Sequence, residues 1–314
     1  MARKAPVQER LSVIGKAWSE IRKINWHEIN RLCQQNFHIG LVGSEAEIGA
    51  MQAWLRMMPQ PDTNDGSGDG AEGPAKDFAP QQLSIIAADA DGPDEKLVKA
   101  TTFCLAGRKM ADDVRRVKGE VYLFSEVERE NLTTQILSNH PEVQFALAHK
   151  FPVFRPEMAR SVIQDTAFQN AAWALFSGLP NTLPGPHQLL TSPLEGISDF
   201  TVLTLNEVKL LFELVGLSGN RVVPLHHVVE FAMIVGLGKV AEALAMQTVG
   251  RFSGRTGMLA KAAIAYAFTW TIGEAVFMYV NTGRKPGRST LSDRFRLHFR
   301  RGRQVAEDMA PGLH

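Results

Sequence analysis

Cysteine is scarce: Cys33 and Cys104 are the only two in 314 residues. Two cysteines build no disulfide framework, and neither has a ligand-type neighbour at metal spacing. A reducing, cytoplasmic setting without a metal site is therefore expected. Charge bias is lacking too. A net charge of +1 provides no global attraction to nucleic acid. No uncharged apolar run reaches about 18 residues, so no standard membrane span is expected. The first ten residues hold Arg3, Lys4, Glu9 and Arg10, which leaves no apolar core for a signal peptide. No repeat recurs at a fixed period. The chain is 45% hydrophobic and 21% charged, the composition of a folded globular protein. Its length allows one large or two ordinary domains.

One more absence organises the chain. Phe37 to Val42 reads as a buried strand, Gly43 to Gly49 as a turn, and Ala50 to Leu55 as the start of a helix. That is where a phosphate-binding P-loop, G-x-x-x-x-G-K-[ST], would sit. Its glycines let backbone N–H groups surround phosphate oxygens, its lysine neutralises charge and its hydroxyl binds Mg²⁺. Counted from Gly43, the key positions hold Ile48, Gly49 and Ala50. A register with Gly49 as the second glycine gives Ala50 and Met51. Neither supplies lysine or hydroxyl. No lysine occurs between Lys23 and Lys76, while Glu45 and Glu47 fall where phosphates would lie. Like charges oppose binding there, although a helix N-terminus still attracts an anion.

Upstream, Val7, Leu11, Ile14, Trp18, Ile21, Ile29, Leu32 and Cys33 recur at helical steps over 7–35. Downstream, 59–80 is rich in Gly, Pro, Asp and Asn. It has too little apolar surface to order itself and lacks the EF-hand order, so a mobile loop is expected. Leu83–Ala88 reads as a second strand and ends in Asp89-Ala90-Asp91-Gly92. A strand followed by D-x-x-G is the GTPase pattern, with the Asp on Mg²⁺ and the Gly N–H on the γ-phosphate. Thr101–Leu105 and Glu120–Phe124 read as two more strands, the last ending at Ser125. An N-K-x-D base reader is missing after the third. Four strands interleaved with helical pieces predict a parallel, doubly wound sheet that binds ligands at its carboxyl edge.

The pattern changes after about residue 145. Phe151-Pro152-Val153-Phe154-Arg155-Pro156 predicts a rigid extended joint. A helix follows, carrying Met158, Val162, Ile163, Phe168, Ala172, Leu175 and Phe176. Pro180, Pro184, Gly185, Pro186 and Pro193 mark a connection. Thr204-Leu205-Asn206-Glu207 has capping-box spacing ahead of a helix over Val208–Leu214. Two apolar, small-residue helices follow, Pro224 to about Val249 and Met258–Val280. Small residues permit close helix packing, as in membrane bundles. Lys261 and Glu274 leave only a dozen residues between them, too few to span a bilayer. A soluble bundle and a membrane-associated hairpin both fit. His226, His227 and Glu230 share metal-like spacing, but no second ligand pair joins them. Arg284, Lys285, Arg288, Arg294, Arg296, Arg300, Arg301 and Arg303 form a basic end. It is expected to be solvated, with an anionic membrane surface as its partner of interest.

These features together resemble an Era/Ras-like GTPase domain followed by the helical domain of unknown function found in YcjF-like inner-membrane proteins. The helical resemblance rests on Phe151–Pro156, Asn170-Ala171, Leu179-Pro180, Asp199–Glu207 and Thr269–Tyr279, with Trp18–Asn25 as the lead-in. The GTPase resemblance rests on strand order, Gly43, Asp89, Gly92 and Ser125. It implies GTP and Mg²⁺ as ligands in members with intact motifs.

The expected fold is thus a Rossmann-like parallel α/β sheet, a degenerate GTPase-like domain, followed by an all-α domain. Its parts are an N-terminal amphipathic helix (1–36), the α/β domain (37–147), the helical domain (148–283) and a basic helix or tail (284–314). Gly43, Ser44, Gly49, Asp89, Gly92 and Ser125 are the candidate nucleotide- or anion-binding residues. No catalytic or metal-binding residue and no cofactor is expected. Three functions fit: a pseudo-GTPase scaffold with a partner- or membrane-binding helical domain, a divergent GTPase taking a lysine such as Lys76 from elsewhere, and a membrane-associated adaptor.

Overall fold

The structure is a computed structural model and describes residues 24–58, 82–87, 93–125, 129–176, 199–223 and 255–310. Asp89, Gly92, Lys76, the 59–80 loop, the helix expected from Pro224 and the His226/His227/Glu230 cluster lie outside the described residues. The chain divides into two compact units. One comprises Glu28–Arg160 with Val215–Arg221; the other comprises Met1–His27, Ser161–Leu214 and Val222–His314.

The first unit is an α/β sandwich. Its elements run α1 (Trp26–Cys33), β1 (Ile39–Gly43), α2 (Glu45–Arg56), β2 (Leu83–Ala87), α3 (Glu95–Ala100), β3 (Phe103–Ala106), α4 (Ala111–Val117), β4 (Val121–Leu123), α5 (Arg129–Asn139) and α6 (Gln144–Lys150). The four strands form one sheet in the order β2-β1-β3-β4. Every pairing is parallel: Ile39 lies opposite both Leu83 and Phe103, and Cys104 opposite Val121. β1 is central and buried at all five positions, which explains why it reads as a continuous apolar run rather than an alternating one.

Period-two alternation sorts the strand side chains. Val42, Cys104 and Ala106 join Val98 of α3 and Ala111 and Val114 of α4 in one cluster. On the other side Phe103 stacks on His140 at 4.9 Å and meets Tyr122 edge-on at 5.5 Å. The Tyr122 hydroxyl lies 3.1 Å from His140 Nε2. Thr101, expected in the third strand, instead ends α3, its hydroxyl donating to the Val98 carbonyl at 2.8 Å.

The expected extended joint is absent. Pro152–Phe154 forms a 3₁₀ turn, and Phe151, Val153 and Phe154 are buried. Phe154 packs edge-on to Trp54 of α2 at 5.8 Å, and Phe151 packs on Phe37 at 5.9 Å. The prolines stop a regular helix there, but burial of three large apolar groups fixes the turn against the sheet unit.

In the helical unit, α7 (Arg155–Phe176), α8 (Asp199–Leu217), α9 (Arg255–Thr282) and α10 (Arg288–Met309) are described. Pro156 falls in the first turn of α7, where a missing N–H costs nothing. Thr204 does not cap a helix: α8 begins at Asp199 and runs straight through the Thr204–Glu207 tetrad. The three-residue step of a capping box is also a helical neighbour step, so spacing alone does not separate the two. The arginines of the basic end are mostly exposed, as expected, but they ride on a helix that is docked on one side. α10 lies antiparallel along α9 through buried His298, Gly302 and Ala306. A Cβ at Gly302 would meet the Ala263 carbonyl oxygen at 2.8 Å, so glycine permits the backbone approach. His298 stacks on Trp270 at 5.0 Å. Its Nε2 is 3.1 Å from Glu274 Oε2, but the two are not aligned for a hydrogen bond. The segment Thr256–Thr282 of α9 is long and apolar enough to cross a membrane, although 61% of its most apolar stretch is buried within the protein. A core helix meets the same criterion.

Candidate functional site at the carboxyl edge of the sheet

Strand order β2-β1-β3-β4 reverses direction between β1 and β3, because the chain leaves β1 for one neighbour and later returns to the other. In open parallel sheets this switch point opens a crevice outside the strand ends. Gly43 ends β1, and Gly107 directly follows β3. The Gly107 N–H donates to the Val42 carbonyl at 2.9 Å, which carries the sheet pairing into the crevice.

A side chain of this protein already fills it. Glu47, in the first turn of α2, turns its carboxylate back over both glycines. A Cβ at Gly43 would meet Glu47 Oε2 at 2.9 Å, and one at Gly107 would overlap the same carboxylate. Ser44 is the N-cap of α2 and forms a reciprocal capping box with Glu47. Glu47 Oε2 accepts from the Ser44 backbone N–H at 2.9 Å and from the Ser44 hydroxyl at 2.8 Å. The Ser44 oxygen in turn accepts from the Glu47 N–H at 3.4 Å. Thus the Ser44 N–H and hydroxyl are both aimed at Glu47, at the positive end of the helix dipole.

The electrostatics follow from the same geometry. Glu45 and Glu47 both lie in the first turn of α2, and Glu47 has no cationic partner among the described residues. A bound phosphate would face these carboxylates without a compensating lysine. Two unit charges about 4 Å apart near a protein surface repel by about 4 kcal/mol.

The expected site residues divide as follows. Gly43 and Ser44 meet at the crevice. Gly49 lies in α2, one turn further on, and a Cβ there would touch nothing. Gly43, Ser44 and Gly49 do share the lining of an open depression of about 600 Å³ with Glu45, Ile48, Gln52 and Ile85. Ser125 follows β4, and its carbonyl accepts from the Arg129 N–H at 3.2 Å at the start of α5. Gly107 and the plugging role of Glu47 were not anticipated. The Ser44-x-x-Glu47 spacing is a capping-box signature and carried that signal. Among the described residues no group of three or more His, Cys, Asp or Glu could hold a metal ion.

No family model, curated protein or solved structure matches this chain. The α/β unit with its parallel sheet is therefore read from its own geometry.

Proposed function

We propose that the α/β unit is a pseudo-GTPase scaffold, a P-loop-shaped turn that holds no nucleotide because its own Glu47 carboxylate takes the place of the phosphate. The helical unit then provides the partner- or membrane-binding surface, and the protein works by presenting surfaces. One observation carries this reading: Glu47 occupies the switch-point crevice and uses the Ser44 donors. The missing lysine and base-reading motif support it.

The test is calorimetric titration of the full-length protein with GTP, GDP and ATP in the presence of Mg²⁺. A dissociation constant weaker than about 1 mM, or about 4 kcal/mol of binding, is expected for all three. Micromolar GTP binding by the wild-type protein would overturn the reading in favour of a divergent GTPase with a cation brought from elsewhere.

A second reading, contact with an anionic membrane surface, is favoured by the outer face of α10. Arg296, Arg300, Arg301 and Arg303 are exposed there beside Leu297, which is 49% exposed; Arg294 is half-buried near Glu274. Arg296 and Arg303 have acidic neighbours at 3.5 and 3.9 Å, so among the described residues Arg300 and Arg301 carry most of the unpaired charge of this face. Co-sedimentation with phosphatidylserine vesicles at low salt, lost in the Arg300→Ala/Arg301→Ala variant, is the expected result. Equal sedimentation of both proteins would exclude this surface.

A further inference from the structure

The helical unit buries a carboxyl group that the proposed scaffold role does not use. Glu207 of α8 is 2% exposed, and Asn170 of α7 and Thr269 of α9 are buried beside it. Glu207 Oε1 lies 2.6 Å from Thr269 Oγ1 and 3.0 Å from Asn170 Nδ2. Asn170 Nδ2 also donates to Thr269 Oγ1 at 2.9 Å, and Asn206 Nδ2 donates to Asn170 Oδ1 at 2.7 Å. Glu207 Oε2 is buried and has no hydrogen-bond partner among the described residues. Three helices therefore meet on one carboxyl group, and only one of its two oxygens is hydrogen-bonded among the described residues.

The network has two complete proton arrangements, because Thr269 Oγ1 is also 3.0 Å from the Ala265 carbonyl oxygen. With Glu207 ionised, the Thr269 hydroxyl and Asn170 both donate to Oε1, and Oε2 is left as a buried, unsolvated anionic oxygen. With Glu207 neutral, the proton sits on Oε1 and is donated to Thr269 Oγ1. The Thr269 hydroxyl turns to Ala265, and Oε2 becomes a carbonyl oxygen whose missing partner costs far less. The proton is taken from water and returned to it. No other atom has to move.

Charges on the packed helices do not change this preference. On α7 the titratable groups are Arg155, Glu157, Arg160 and Asp165. On α8, Glu213 pairs with Lys209 at 3.4 Å. On α9, Glu274 faces Arg294 and His298 of α10, and Lys261 is exposed. Among the described residues no cation lies within ion-pair distance of Glu207. Burial is the dominant influence on its acidity, opposed by the bonds from Thr269 and Asn170, and it raises the pKa from 4.5 to about 7.

We propose that Glu207 is the sensor of a proton-linked switch in the helical unit, with Thr269 as its hydroxyl rotor. When the proton leaves, the bare Oε2 is relieved by water entry, and the contact between α7, α8 and α9 loosens. The proposal is independent of the nucleotide reading, since all its residues lie in the other unit.

The experiment uses the full-length protein. Infrared difference spectra between about pH 5 and about pH 9 follow the protonated carboxylic C=O band, and amide hydrogen exchange, corrected for its intrinsic pH dependence, follows the backbone around Thr269. The wild type should show a carboxylic band that disappears near neutrality, together with faster exchange in α9. Glu207→Gln should lack the component of the band that disappears near neutrality, which stands apart from the ordinary carboxyls ionising near about pH 4, and should exchange alike at both ends of the range. Thr269→Val removes both a donor to the ionised form and the acceptor of the carboxylic proton; the bond to the charged form is the stronger, so the midpoint should rise by about one pH unit. The proposal is overturned if wild type and Glu207→Gln give the same exchange profile. If Glu207→Gln does not fold, an unmoved midpoint in Thr269→Val overturns it instead.

Discussion

The crevice geometry predicts a specific energetic coupling between Gly107 and Glu47. Gly107 has no positive φ, so its backbone does not itself demand glycine, and the atoms nearest a Cβ there all belong to the Glu47 carboxylate. In the wild-type background Gly107→Ala must expel that carboxylate. The Ser44 N–H and hydroxyl then lose a charged acceptor at 2.9 and 2.8 Å. The site is half-buried, and water replaces part of the loss, so the expected cost is that of a helix cap, about 1–2 kcal/mol. Glu47→Ala alone should cost about 1 kcal/mol for the same reason. With the carboxylate gone, the nearest obstacle to Gly107→Ala is removed. It should then be neutral or stabilise by about 0.4–1 kcal/mol, because alanine restricts the unfolded chain. The double-mutant cycle should therefore show a coupling of about 2 kcal/mol. Native-state hydrogen exchange of the β1 amides of Leu41 and Val42 reads the stability of the sheet unit separately from the helical one. An equal cost of Gly107→Ala in both backgrounds would refute the placement of Glu47 over the crevice.

Other outcomes follow from the helical unit. The Glu207 pKa of about 7 in the folded protein lies above its unfolded value of 4.5, so the folded state holds the proton more tightly. The stability this provides is fully present below pH 4.5 and is lost as pH rises through about 7, a change of about 3 kcal/mol that urea titrations across this range should show and Glu207→Gln should abolish. Gly302→Val places a branched side chain where a Cβ already meets the Ala263 carbonyl oxygen at 2.8 Å. It should cost about 1–3 kcal/mol and open the α9–α10 contact to limited proteolysis; unchanged cleavage would show that α10 does not dock through Gly302.

Much of the α/β unit was legible in the sequence. The four apolar runs became the four strands within one or two residues, because buried parallel strands are continuous apolar runs with no competing pattern. Capping residues were harder. Ser44-x-x-Glu47 is a true capping box and Thr204-x-x-Glu207 is not, although the spacing is the same. The second lies within a helix that already includes Asp199, further upstream. Docking of the basic end was hidden for another reason. Its arginines dominate the composition, while the residues that make the contact, His298, Gly302 and Ala306, are small or polar and give no apolar signal.

By itself the sequence determined that the loop after β1 lacks the lysine and hydroxyl of a phosphate site, since those are questions of residue identity. It also determined the parallel α/β class, through hydrophobic run length. Tertiary structure alone decided what fills the crevice and where the buried proton sits. Gly43, Glu47 and Gly107 come together only when β1 and β3 pair, and Asn170, Glu207 and Thr269 only when three helices pack. A carboxylate's chemistry depends on how much water and how many donors reach it. Those are fixed by groups distant in the chain, and no local pattern carries them.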